Sequence, residues 1–226
     1  MFSNQQLTGR DHSQLISLPG TKILGHAEAI KALAELQTLA KADNQAFHII
    51  SGYRSFEQQR SIWNKKYSGE LPVLTTNETV VDIKQLSSIE LIRSIMLYSA
   101  LPGASRHHWG TDFDIFPSAP IEDGYKVQLL DSEFNDNGIA SEFNQWLLDT
   151  LPSTGFFKPY ATFQKGIAAE PWHISYRPIA EQALAELSIE QIKISLLEDS
   201  EPLAGLDTIC TNLPALYKQF INNICQ

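Results

Sequence analysis

The spacing of apolar residues predicts a chain that mixes helices and strands. Over residues 26–42, apolar positions recur every three or four residues, as on one face of a helix. Residues 46–50 form a short apolar run that predicts a buried strand, while residues 111–116 and 172–176 alternate polar and apolar side chains. Such alternation predicts two further strands, with the polar side chains together on one face of each. The pattern therefore indicates an α+β core.

Two serines, each followed three positions later by Gln or Glu, predict where helices begin. Ser55 with Gln58 predicts a helix of about twelve residues, and Ser87 with Glu90 predicts one that continues to about residue 100. A further helix is predicted over residues 141–151, capped by its first serine. These helices surround the predicted strands in the sequence.

The connection over residues 117–140 is long for a compact domain, and within it only residues 127–130 predict a short strand. Long connections often form part of a binding site, so we expect this one to line a pocket. From residue 178 the pattern changes to short helices, one of them capped by Ser188. We therefore divide the chain into a core over residues 1–178 and a helical C-terminal extension over 179–226 that packs on the core.

Composition and charge argue against several classes of protein. The formal net charge is −9, so neither nucleic acid nor an anionic membrane surface is an expected partner. No apolar run is long enough to span a bilayer. The N-terminus lacks a signal-peptide pattern, which predicts a cytoplasmic protein, with the periplasm as the alternative. Cys210 and Cys225 are not spaced as zinc ligands and are expected to be reduced thiols, with a disulfide as the alternative.

Residues 105–114, SRHHWGTDFD, carry two histidines and two aspartates. Asp114 lies on the polar face of one predicted strand, with His107 in the loop before it, and His173 lies on the polar face of a later strand. If these strands are antiparallel neighbours, the three side chains can converge. Two imidazoles and a carboxylate can form a catalytic zinc site with one position left for water, although manganese or iron could use the same ligands. The alternatives are solvated or core histidines and aspartates that serve only as strand-edge charges.

Two further residues have the chemistry that a hydrolytic site needs. Glu170 stands three residues before His173, where it could take a proton from an attacking water and deliver it to a leaving amine. Arg54 follows the strand predicted at 46–50 and could stabilise negative charge that develops on a carbonyl oxygen. Each motif supplies a group that the other lacks, so the combination favours hydrolysis.

Three segments carry a family resemblance: SGYRS at 51–55, SRHHWGTDFD at 105–114 and EPWH at 170–173. They resemble the signature motifs of the VanY-type D-alanyl-D-alanine carboxypeptidases and dipeptidases. These are zinc peptidases of the LAS group, named for lysostaphin, D-Ala-D-Ala peptidases and Sonic hedgehog. The family motifs are Ser-x-His-x-x-Gly-x-Ala-x-Asp and Glu-x-x-His, and the chain departs from them at Asp112, where the family usually has Ala. The resemblance implies a small antiparallel sheet that carries the zinc site and is flanked by helices.

The resemblance also implies a role for the residues of the metal site. His107, Asp114 and His173 would bind Zn²⁺, and Glu170 would be the general base. The additional carboxylate of Asp112 would either tighten cation binding or shift the pKa of Glu170.

For substrate binding, the resemblance implies that Arg54 contacts the substrate carbonyl or carboxylate. Gln59 and Ser105 would help to hold the free C-terminal carboxylate of the peptide. His108 would not be a ligand, and would either lie behind the ligands or face solvent.

Together these features predict a zinc-dependent carboxypeptidase that removes terminal D-Ala from peptidoglycan-derived peptides. An L,D-carboxypeptidase or a murein endopeptidase of the same zinc family is the alternative, because the pocket around the penultimate residue decides between them. A non-catalytic zinc-containing binding module is a further alternative. The sequence carries no signal for the oligomeric state.

Overall fold

A four-stranded antiparallel sheet forms the centre of the fold. The computed structural model describes residues 1–198 and 201–225. The strands are β1 (Ile16–Ser17), β2 (Leu24–Gly25), β3 (Phe47–Ser51), β4 (Asp112–Pro117), β5 (Phe156–Phe157) and β6 (His173–Tyr176). Strands β1 and β2 form a separate hairpin, and the sheet has the order β3-β4-β6-β5. The strands predicted at 46–50, 111–116 and 172–176 are therefore its three adjacent members.

Helices flank this sheet, and short 3-10 turns connect several elements. The α-helices are α1 (Asn4–Leu7), α2 (Ala27–Ala42), α3 (Phe56–Ser68), α4 (Ser88–Ile95), α5 (Ser118–Glu122), α6 (Ser141–Thr150), α7 (Arg177–Glu186), α8 (Ile189–Leu197) and α9 (Leu206–Leu216). A 3-10 helix over Arg106–Trp109 leads into β4. The predicted fold class, an α+β fold with a small antiparallel sheet flanked by helices, is confirmed.

Side-chain caps explain where several helices begin. At the start of α3, the Ser55 hydroxyl accepts a hydrogen bond from the Gln58 amide, and the Gln58 side chain accepts one from the Ser55 amide. The same reciprocal pair joins Ser188 and Gln191 at α8. These caps satisfy amide groups that have no partner within the helix. The predicted starts of both helices are confirmed.

Three predicted elements differ in the structure. Helix α4 ends at Ile95 and not near residue 100, because the following amides of Leu97 and Tyr98 turn to carbonyls three residues back. Helix α6 has Ala140 at its N-cap, so Ser141 is its first residue and makes no capping bond. The strand predicted over 127–130 is absent from the described structure, where these residues form a loop.

The Glu133 carboxylate replaces a neighbouring strand as the partner of this segment. Its oxygens accept hydrogen bonds from the backbone amides of Gln128 at 3.0 Å and Leu130 at 2.8 Å. Between them, Leu129 has a φ of 55°, which a strand does not allow. The apolar run therefore forms a loop held by a buried carboxylate.

Two hydrophobic clusters fill the interior. One packs Phe113 and Ile115 of β4 against Leu33 and Leu36 of α2 and Leu147 of α6. Because alternate strand residues face opposite ways, Asp112 and Asp114 point away from these two apolar side chains. This face of β4 carries the candidate site.

The second cluster joins helices from both ends of the chain. It contains Phe56 and Trp63 of α3, Ile92 of α4 and Leu213 of α9, together with Trp109. Helices α7 to α9 therefore share buried contacts with the core helices. The division of the chain at residue 178 stays a prediction.

The N-terminal segment packs behind the turn that precedes β4. The Trp109 indole donates a hydrogen bond to the Leu7 carbonyl at 3.1 Å, and the Phe56 amide donates one to the Gly9 carbonyl at 2.9 Å. Arg10 donates to the hydroxyl and the carbonyl of Ser195 in α8. Residues 7–10 thus connect α3, the 3-10 helix and the C-terminal helices.

Two further observations concern the membrane and the cysteines. Within residues 1–198 and 201–225, no helix has the length and apolar character needed to cross a bilayer. Cys210 and Cys225 are both half-buried free thiols.

Candidate metal centre and substrate cleft

His107, Asp114 and His173 converge at the centre of the sheet. In the register between β4 and β6, Asp114 stands directly opposite His173. His107 lies in the 3-10 helix before β4. One ligand atom from each residue lies within 4.8 Å of the others. All three side chains are buried, so the cluster can hold a metal ion.

In each of the two histidines, the ring nitrogen that points away from Asp114 (the outer nitrogen) has a hydrogen-bond partner. This contact orients the other ring nitrogen (the inner nitrogen) towards Asp114. The Nδ1 atom of His107 lies 2.9 Å from the Gly52 carbonyl oxygen, and Nε2 of His173 lies 2.9 Å from Oδ1 of Asp112. The remaining nitrogens face Asp114, at 3.4 Å for His107 Nε2 and 3.6 Å for His173 Nδ1. Because a neutral imidazole has one donor and one acceptor nitrogen, both inner lone pairs can point to a cation. The donor set therefore fits a metal.

Burial strongly perturbs the ionisation of these groups. It raises the pKa of Asp114 to about 6 and, together with Arg54, lowers the pKa of His107 well below its usual value. Burial also opposes protonation of His173, but hydrogen bonds to Asp112 and Glu170 outweigh it and raise the pKa of His173 to about 10. The neighbouring carboxylates thus favour positive charge at this ring, as they would favour a cation.

Glu170 and Arg54 lie beside the cluster. Oε2 of Glu170 is 3.1 Å from Nδ1 of His173. Nη2 of Arg54 is 4.0 Å from Oδ2 of Asp114, and its guanidinium donates to the Gln59 side-chain oxygen and the Ser51 hydroxyl. A carboxylate and a fixed guanidinium therefore flank the metal ligands.

The two predicted carboxylate-binding residues differ in position. Gln59 is fully buried; its oxygen accepts from Arg54, and its nitrogen donates to the Ala100 carbonyl at 2.6 Å. Its contacts therefore hold Arg54 in place, and a direct contact with substrate stays a prediction. Ser105 lines the cleft onto which the metal-ligand cluster opens.

His108 is buried and lies outside the ligand cluster, so the alternative that it faces solvent is wrong. Its Nδ1 atom lies 2.7 Å from the Arg54 carbonyl oxygen, and its Nε2 atom accepts from the Gly103 amide at 3.1 Å. The ring ties the turn before β4 to the segment that carries Arg54.

The cluster opens into a cleft of about 370 Å³. Residues 128–130 form part of its wall, as expected for the connection over 117–140. Lys66 also lines the cleft and was not among the predicted site residues. It stands seven positions after Gln59 on α3, so helical periodicity alone places it on the same face. Tyr160 is a second missed residue, and its ring packs edge-on against His173 at 5.1 Å between centroids.

Comparison with known proteins identifies relatives of both the sequence and the fold. Two uncharacterized proteins of Haemophilus influenzae match. One is 34% identical over 123 residues, which cover 54% of this chain and 92% of the relative. The other is 32% identical over 100 residues, which cover 43% of this chain and 68% of the relative.

Three solved structures share the fold, each with a TM-score of 0.53. A mutant of the D,D-pentapeptidase VanY from a VanB-type resistance cassette, in complex with Zn(II), is 24% identical and covers 79% of this chain and 88% of its own. VanYB in complex with D-alanine-D-alanine is 22% identical and covers 82% and 89%. The LD-carboxypeptidase LdcB is 20% identical and covers 82% and 79%.

The family model described as "VanY: D-alanyl-D-alanine carboxypeptidase" matches residues 22–179. This segment contains all three motifs on which the family resemblance was based. The family predicted from those motifs is confirmed: the chain belongs to the VanY D-alanyl-D-alanine carboxypeptidase family.

Proposed function

We propose that the protein is a zinc-dependent carboxypeptidase that removes the terminal D-Ala from peptidoglycan-derived peptides. The observation that carries the proposal is the convergence of His107, Asp114 and His173 at the base of a cleft, with Glu170 beside them. Membership of the VanY family supports the reaction class. A purely structural metal site would need neither an adjacent carboxylate nor a fixed guanidinium, which argues against a non-catalytic binding module.

In this proposal His107 Nε2, Asp114 and His173 Nδ1 hold the metal. A bound zinc ion supplies Lewis-acid chemistry, which polarises a carbonyl group and makes water more acidic. Glu170 takes a proton from the attacking water and returns it to the leaving amine nitrogen. Hydrogen bonds to Gln59 and Ser51 hold the Arg54 guanidinium in place. In this position Arg54 stabilises the negative charge that develops on the carbonyl oxygen.

The charges in the cleft favour a substrate with a free terminal carboxylate. Although the whole chain has a net charge of −9, the cleft presents Arg54 and Lys66 beside the metal-site carboxylates of Asp114 and Glu170. Burial lowers the pKa of Lys66, and its ammonium group has no hydrogen bond or ion pair with the described residues. The Glu170 carboxylate attracts this charge without forming an ion pair, so a substrate carboxylate can be its direct partner. This supports an exopeptidase over a murein endopeptidase, whose substrate would pass through the cleft without a terminal charge.

The test uses the metal-replete protein with a pentapeptide ending in D-Ala-D-Ala, the corresponding tetrapeptide, and free D-Ala-D-Ala. Release of D-Ala is measured by mass spectrometry. Release from the pentapeptide indicates a D,D-carboxypeptidase, release from the tetrapeptide an L,D-carboxypeptidase, and release from D-Ala-D-Ala a dipeptidase. We expect release from the pentapeptide. Zinc binding without release from any of the three would overturn the carboxypeptidase proposal.

The role of Glu170 is tested by Glu170→Gln, which keeps the size of the side chain and removes its basicity. We expect turnover to fall by about 10²- to 10⁴-fold, the usual contribution of a general base. Glu35→Gln on the exposed face of α2 is the matched control and should leave turnover unchanged. Full activity of the Glu170 variant would contradict the mechanism. The cytoplasmic location stays a prediction, which cell fractionation would test.

A further inference from the structure

Asp112 is the one position where the site motif departs from the family pattern, and the structure gives its side chain a definite partner. It lies on the same face of β4 as Asp114 and is fully buried. Its Oδ1 atom is 2.9 Å from Nε2 of His173, on the side of the ring away from the ligand cluster. Asp112 is not part of that cluster. It therefore contacts a proposed metal ligand from behind.

Two neighbouring side chains, those of Arg106 and Thr111, hold the Asp112 carboxylate in this position. Arg106 Nε donates to Oδ1 at 2.8 Å, and the Thr111 hydroxyl donates to Oδ2 at 2.6 Å. Arg106 in turn donates through Nη2 to the hydroxyl of Ser175, the residue paired with Asp112 across the sheet. Arg106 is 4% exposed, so the ion pair is shielded from water. A continuous buried chain of hydrogen bonds thus runs from Arg106 through Asp112 to His173.

We propose that Asp112, fixed by Arg106, is a positioning residue that sets the tautomer and the ring rotation of His173. The inference rests on the proposed metal site. A neutral imidazole that donates Nε2–H to a carboxylate keeps its lone pair on Nδ1, which is the nitrogen that faces Asp114. A bonded ring also cannot rotate away from the cluster. Loss of such an outer contact typically weakens metal binding by about 10- to 100-fold.

The experiment must separate positioning from simple loss of a buried ion pair. Asp112→Ala alone leaves the Arg106 guanidinium buried without its counter-ion, which is itself strongly destabilising. The double variant Arg106→Leu/Asp112→Ala removes both charges and with them that penalty. Asp112→Asn keeps an oxygen that can accept from His173. Ser175→Ala is the matched control, because it removes a contact of Arg106 and leaves the contact between Asp112 and His173.

Zinc affinity is measured by competition with a chelator. The stability of the metal-free protein is measured by urea titration. The visible spectrum of the Co²⁺-substituted protein reports the geometry of the ligands. For the double variant we expect about 10- to 100-fold weaker zinc binding and a changed Co²⁺ spectrum, with the unfolding midpoint close to that of the unsubstituted protein. Asp112→Asn should bind zinc with intermediate affinity, and Ser175→Ala with unchanged affinity.

Unchanged zinc affinity and an unchanged Co²⁺ spectrum in a folded double variant would overturn the inference and assign the pair a role in stability alone. A different result would overturn the proposed function. If the unsubstituted protein bound zinc and hydrolysed no peptide, the carboxypeptidase proposal would be overturned while the positioning role of Asp112 would still be supported by the difference in affinity.

Discussion

The buried ring of His108 makes a specific prediction about acid stability. The Gly103 amide can only donate, so Nε2 of His108 must accept, and the single proton of the neutral ring lies on Nδ1 beside the Arg54 carbonyl. Protonation would place a second N–H against that amide inside the fold. Burial accordingly lowers the pKa of His108 to about 4.

The size of the effect follows from the difference between folded and unfolded pKa. An exposed histidine titrates near pH 6.5. Between about pH 6.5 and about pH 4 the unfolded chain therefore binds a proton that the folded protein does not, and the free energy of unfolding falls as the pH falls. At 1.36 kcal/mol for each pH unit, His108 alone accounts for a loss of about 3 kcal/mol between pH 7 and pH 4.

The assay is urea unfolding of the metal-free protein at pH 7 and pH 4, compared with His108→Gln. Glutamine offers a donor and an acceptor but does not titrate in this range. We expect the variant to lose about 3 kcal/mol less than the unsubstituted protein on acidification. Other buried groups, including His107, contribute to both proteins and cancel in the comparison. The same substitution at the exposed His48 is the matched control. Parallel losses in the His108 variant and the unsubstituted protein would refute the reasoning.

Two further predictions use pairs of substitutions. Lys66→Met should raise KM for a peptide with a free C-terminal carboxylate by roughly 10- to 100-fold, because one charge-assisted hydrogen bond is lost. KM for the same peptide with a C-terminal amide should change little. The control Lys65→Met, at an exposed position, should leave KM for both peptides unchanged. Gly9 and Gly20 both have a φ of 76°, but a Cβ at Gly9 would overlap the His108 ring, whereas a Cβ at Gly20 would have no described atom within 4 Å. Gly9→Ala should therefore lower the free energy of unfolding by about 1–3 kcal/mol more than Gly20→Ala, and equal losses in urea titrations would contradict this packing.

The parts of the fold that the sequence predicts are those with local causes. The capping box at Ser55 and the alternation around Asp114 involve neighbours along the chain, so the pattern alone places α3 and β4. The short helix α1 also has a local signal, because Ser3 and Gln6 form the same capping pair, but the weak periodicity of the N-terminus obscured it. The loop at 127–130 is an exception, because its cause is local but the apolar pattern does not reveal it. Its apolar residues predict a strand, whereas the carboxylate of Glu133, three residues after Leu130, binds the amides that a strand would use.

The candidate site divides in the same way. Residue types and motif spacing are sufficient to select His107, Asp114, His173 and Glu170, which the structure brings together. The contact between Asp112 and His173 depends on strand register and ring orientation, which no spacing specifies.

The buried connection between the N-terminal segment and the C-terminal helices determines which parts of the chain support the metal site from outside it. The matched segment, residues 22–179, contains the whole ligand set, yet Trp109 beneath it bonds to Leu7 and packs in a cluster that includes Leu213. Residues on both sides of the matched segment thus pack against the 3-10 helix that carries His107. Substitutions in these flanks should therefore change the temperature at which the site loses its shape, although they remove none of its ligands.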